Sequence, residues 1–125
     1  RQFVAANGIL TAGFVIGGST SVKVLVRASG PTLTGYGVQG VMPDPKVTVF
    51  DNTGKVLSTN SGWAGSAAIT AANSATGAFQ FSSSTSKDSA VVLTLAPGSY
   101  TAQAASATGT AGVSLVEVYE VPSTN

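Results

Sequence analysis

Apolar and polar side chains alternate with a period of two along most of this chain, the pattern of strands that bury one face. Between 21 and 28, Val22, Val24 and Val26 alternate with Lys23, Leu25 and Arg27; between 9 and 16, Leu10, Ala12, Phe14 and Ile16 share a face. The same reading predicts strands over 1–6, 46–50, 55–59, 89–95, 99–106 and 112–121, with a short strand over 78–81. Turn residues separate them. Asn7-Gly8 favours a two-residue hairpin turn between the first two strands, though it also suits a hinge. Asp51-Asn52-Thr53-Gly54 turns 46–50 into 55–59, and Ala96-Pro97-Gly98 turns 89–95 into 99–106.

Two stretches break the alternation. Residues 29–45 carry three prolines and four glycines, which excludes a long helix or a central strand and leaves a loop with room for one helical turn. Residues 66–75 predict the one helix, with Ser66 as its cap and Gly77 as its stop. Ser82 to Lys87 reads as a solvated loop. Strands in this number with one short helix predict an all-β domain over 1–125. It is an antiparallel β-sandwich, jelly-roll or immunoglobulin-like, with 1–8 as a strand-donor or edge segment. The expected core holds Phe14, Ile16, Val24, Val26, Val47, Val49, Leu93, Leu95, Tyr100 and Val116.

Composition narrows the function classes. Charged residues are 9% of the chain and the net charge is +1, so neither nucleic acid nor anionic lipid is attracted, and little self-repulsion opposes association. Mean hydropathy is +0.32, yet the longest apolar run, Ile9 to Ile16, is interrupted by Thr11 and Gly13 and cannot span a membrane as a helix. The first residue is Arg1 and not Met, which, with the abundance of Ser, Thr, Ala and Gly, predicts removal of an upstream segment and export.

The chain has no His and no Cys, which excludes nucleophilic triads, thiol chemistry and the usual zinc sites. Its five acidic residues are Asp44, Asp51, Asp88, Glu117 and Glu120. Asp44 lies between two prolines, Asp51 sits in a hairpin turn and Asp88 precedes a strand beside Lys87, so each reads as a solvated turn residue. No calcium-type cluster is present. No catalytic residue, cofactor or metal is expected. Arg27, in mid-strand, either pairs with Glu117 or faces solvent. Trp63, Tyr36 and Tyr119 could form a stacking platform for sugars; the more ordinary reading has Trp63 covering one end of the core and Tyr100 filling a corner.

The run L-A-P-G-S-Y at 95–100 resembles a strand-corner signature of bacterial surface β-sandwich domains. More of the chain, namely A-G-F-V-I-G-G at 12–18, K-V-L-V-R-A-S-G-P-T-L at 23–33, G-V-Q-G-V-M-P-D-P at 37–45 and G-V-S-L-V-E-V-Y at 112–119, resembles a β-domain found in repeats or at the C-terminus of large secreted proteins of environmental bacteria. The resemblance implies a sandwich and a secreted or surface setting, and brings no activity with it. In that family an acidic residue often precedes the Trp; here Thr59-Asn60-Ser61-Gly62-Trp63 has none, which weakens a metal-binding loop.

These observations lead to a non-enzymatic extracellular structural subunit whose partners are copies of itself, assembled into a filament or surface layer. Strand addition through Arg1, Gln2, Phe3, Val4, Ala5 and Ala6, with Phe3 and Ala5 on one face, is the expected route. An in-domain edge strand is the equal alternative for that segment. Val121 to Asn125 is a poorer donor, because Pro122 lacks an amide hydrogen. The alternative function is an accessory module binding polysaccharide or the cell surface through Tyr36, Trp63 and Tyr119.

Overall fold

The computed structural model describes residues 2–4, 9–110 and 112–122. In chain order its elements are β1 (Gln2–Val4), β2 (Leu10–Ile16), β3 (Val22–Ser29), a 3-10 helix (Pro31–Tyr36), β4 (Pro45–Asp51), β5 (Val56–Ser61), α1 (Ala67–Thr76), β6 (Ser89–Leu95), β7 (Gly98–Ser106) and β8 (Ser114–Glu120). One sheet has the order β1-β8-β3-β6 and the other β2-β7-β4-β5, and every pair is antiparallel. The pairs β1·β8, β2·β7, β3·β6 and β4·β5 are those of one long antiparallel ribbon with its tip at the β4–β5 turn. Folding that ribbon over brings β8 beside β3 and β7 beside β4. This is the jelly-roll arrangement, and it decides between the two sandwich topologies expected.

The two sheets close on a core of Leu10, Ile16, Val24, Val26, Ala28, Val47, Val49, Val91, Leu95, Ala102, Ala104 and Val116. Seven of the ten expected core residues are buried, and Phe14, Leu93 and Tyr100 pack partly buried against them. Each fully buried Val contributes about 1.5–3 kcal/mol relative to exposure. Tyr100 fills its corner as expected: its hydroxyl donates to the Ala96 carbonyl at 2.6 Å, and its ring stacks on Phe14.

The second face of the β1-β8-β3-β6 sheet is covered as well. Residues 62–88 fold over it, packing Trp63, Ile69, Ala72 and Phe81 onto Leu25, Ala90 and Val121. Leu25 and Arg27, expected on the more exposed face of β3, are therefore fully buried. The covering helix starts and stops as its sequence dictates. Ser66 Oγ accepts from the Ile69 amide at 3.4 Å, and Gly77 ends the helix at φ 74°, a conformation that costs glycine little.

Two local expectations are corrected. β1 does not form a hairpin with β2: it pairs with β8 in one sheet while β2 pairs with β7 in the other. The Asn7-Gly8 turn itself lies outside the described residues. The edge of β8 is a longer-range competitor that a local turn signal does not reveal. Residues 78–81 form no strand, because the Phe79 carbonyl and both neighbouring Phe rings are taken up around Arg27.

Candidate functional site

The densest polar chemistry lies beneath the 62–88 cover. Arg27 and Glu117 are cross-strand partners on β3 and β8, and the guanidinium Nη2 donates to Glu117 Oε1 at 3.1 Å with both side chains at most 2% exposed. Nη1 donates to Asn73 Oδ1 on α1 at 3.0 Å and to the Phe79 carbonyl at 2.5 Å. The Phe79 and Phe81 rings lie 4.2 and 4.7 Å from the guanidinium carbon, so the cation is held by aromatic faces as well as by a carboxylate. Tyr119 donates its hydroxyl to Glu117 Oε2. Burial pulls the Arg27 pKa down, and the nearby Glu117 opposes that pull. Of the two alternatives left open for Arg27, the ion pair is the one formed. The cluster ties sheet, helix and cover together, and its enclosure leaves it no face toward a solute.

The carboxylates occupy structural positions. Asp88, expected in a solvated turn, is fully buried; its oxygens accept from the Gly30 amide at 2.7 Å, the Thr32 amide at 3.2 Å and Thr32 Oγ1 at 2.5 Å. It thereby fastens the start of the 3-10 helix to the start of β6. That correction follows from the fold: the amides that need an acceptor stand 56 and 58 residues upstream. Asp51 does sit in its turn, accepting from the Thr53 and Lys55 amides, and Asp44 accepts from Ser106 and Thr108 hydroxyls. Among the described residues no three acidic side chains come together.

The sugar platform weighed as the alternative for Tyr36, Trp63 and Tyr119 is not assembled. Trp63 is 7% exposed, with its ring edge-on to Phe81 and Nε1 donating to the Ser83 carbonyl and Ser86 Oγ, both at 3.1 Å. It covers one end of the core, the more ordinary of the two readings. Tyr36 is exposed but tilts against Phe79, and Tyr119 is half-buried beside Glu117. An open groove of about 630 Å³ between α1 and the sheet is lined by Ala68, Ala71 and Ala75 on one side and by Lys23, Thr94 and Glu120 on the other.

The strand edges remain. In one sheet the outer strands are β1 and β6, in the other β2 and β5. Of the N-terminal residues singled out, Gln2, Phe3 and Val4 pair with Val116, Leu115 and Ser114 along the rim of β8, whereas Arg1, Ala5 and Ala6 lie outside the described residues. On the other sheet the exposed large apolar side chains include Ile9, Val15, Val56 and Leu57. The sequence reading passed over these four. The signal was present, since β2 (L-T-A-G-F-V-I) and β5 (V-L-S-T-N-S) contain neither a charge nor a proline, the usual devices that keep an edge from pairing. No protein-family model and no curated protein matches the chain.

Proposed function

We propose that this chain is a non-enzymatic extracellular structural subunit that joins copies of itself into a filament or surface layer, the N-terminal strand of one copy seating on β8 of the next. The observation that supports it best is that β1 lies at the rim of a sheet, where Gln2–Val4 pair with Ser114–Val116 of the same chain on one side only. The edge of β8 receives any antiparallel strand of suitable sequence, and the same segment from a second copy makes the same backbone bonds. Exchange therefore conserves contacts, and protein concentration sets the balance between the two states. A donor at one end and an acceptor elsewhere on the same surface make a head-to-tail contact that does not close, which yields a filament. The net charge of +1 offers little repulsion against it. Secretion is proposed from the composition and from the resemblance to surface β-domains. With Trp63 buried, carbohydrate binding loses the largest ring of its platform and ranks second.

Negative-stain electron microscopy and sedimentation of the full chain, beside a chain lacking residues 1–6, test this. Filaments from the full chain and none from the shortened, still β-rich chain are expected. A full chain that stays monomeric at high concentration, or a shortened one that polymerises equally well, overturns it.

A further inference from the structure

The sheet β2-β7-β4-β5 has four strands, all antiparallel. An even count makes its two outer strands run in opposite directions, so β5 of one molecule meets β2 of a translated copy in antiparallel sense. The cross-strand partners also put the two edges level. Val56 pairs with Phe50, Phe50 with Thr101 and Thr101 with Gly13; Thr59 pairs with Thr48, Thr48 with Gln103 and Gln103 with Thr11. Opposite Val49 and Phe50 strand β5 carries one extra residue, Leu57, as a bulge; with that bulge kept, sideways translation sets Val56 opposite Gly13 of the next copy and Thr59 opposite its Thr11.

Both juxtapositions are favourable. Val56 is 50% exposed and Val15 72% exposed, while the position of a side chain on Gly13 is empty for 4 Å around, so the valine has a slot to enter between them. A Thr59–Thr11 contact would repeat the bond already made between Thr48 and Thr59 hydroxyls at 3.2 Å, extending the row by one pair of a type that stabilises sheets. Toward its other end β5 is tied to β6, where Asn60 Oδ1 accepts from the Ala90 amide. The open part of β5 therefore coincides with the exposed part of β2. Neither edge carries the lysine, proline or inward charge that would keep a second chain away.

We infer that β5 of one copy pairs edge to edge with β2 of a second copy of this chain, in the register Val56 opposite Gly13, forming a lateral contact between subunits. It rests on the self-association proposed above, but uses no residue of the N-terminal strand. The chain lacks cysteine, so single-cysteine variants report the contact directly. Full-length Val56→Cys mixed with full-length Gly13→Cys should form a disulfide-linked heterodimer under mild oxidation faster than Val56→Cys mixed with Thr85→Cys, whose loop lies on the cover of the other sheet. Adding Val15→Lys to the Gly13→Cys chain should slow it by roughly tenfold or more, the factor that about 1.4 kcal/mol represents. Equal rates for the two mixtures overturn the edge contact whether or not filaments form. A fast Val56–Gly13 cross-link in a chain that makes no strand exchange would instead remove the donor route and leave this contact standing.

Discussion

Arg27 and Glu117 stand directly opposite each other on β3 and β8, joined at 3.1 Å where neither side chain reaches water. Removing one partner leaves the other charge buried without its counterion, which generally costs about 3–5 kcal/mol. Arg27→Met should therefore destabilise the fold by that order in urea titrations. Adding Glu117→Leu to it should recover a large part of the loss, since an apolar pair of similar volume avoids the desolvation cost. Additive losses in the double variant would mean that the bonds from Arg27 to Asn73 and Phe79, and not the ion pair, carry the effect.

Asp88 makes a second such test. Its carboxylate serves three donors on Gly30 and Thr32, and each buried donor left unsatisfied costs about 1–3 kcal/mol. Asp88→Ala should lower the urea midpoint strongly, and Asp88→Asn, which keeps one acceptor oxygen, less so. A loss below about 0.5 kcal/mol for the alanine variant, the range of ordinary surface substitutions, would place Asp88 outside the fold's supports.

Trp63, the single tryptophan, should emit at the short wavelengths of a buried indole and shift to the red on unfolding. Soluble oligosaccharides should leave that emission unchanged. A saturable change on adding sugar would show that the cover over Trp63 opens to a ligand.

Acid should weaken the fold. For Asp44, burial works against ionisation, but the hydroxyls of Ser106 and Thr108 outweigh it and hold the pKa low; for Asp51 the Thr53 hydroxyl and amide do so. A folded pKa below the unfolded one stabilises above the unfolded value and loses that contribution as pH falls through the folded one. Melting temperatures should thus decline below about pH 4, near the free aspartate value, and Asp44→Asn should flatten that decline. A melting temperature that rises on acidification in this range would contradict it.

Period-two alternation marked β2 and β4, each of which keeps a wetter face, while short apolar runs bounded by turn residues marked β3, β6 and β8, which are buried on both faces over much of their length. Ser66 and Gly77 marked the helix for a similarly local reason. What stayed hidden was set by distant partners. The assignment of β1 to β8 was masked by Asn7-Gly8, whose turn preference says nothing about β8. Burial of Leu25 and Arg27 depends on a cover supplied by residues 62–88, and the pattern of β3 cannot reveal which face acquires one. Asp88 looked solvated because its donors lie in a loop far upstream. Tyr100 was legible, since the acceptor of its hydroxyl is only four residues away.

The exchange of the N-terminal strand is tested most directly at Phe3 and Leu115, which are register partners across β1 and β8, so that cysteines placed there face each other wherever this pairing forms. Chains carrying only Phe3→Cys are mixed with chains carrying only Leu115→Cys, assembled, oxidised mildly and run on a non-reducing gel, with the doubly substituted chain alongside. Strand donation between copies yields a covalent heterodimer from the mixture and a ladder of multimers from the double variant. An internally linked monomer from the double variant, with no dimer from the mixture, would show that Gln2–Val4 stays on its own β8 and would contradict the proposed assembly.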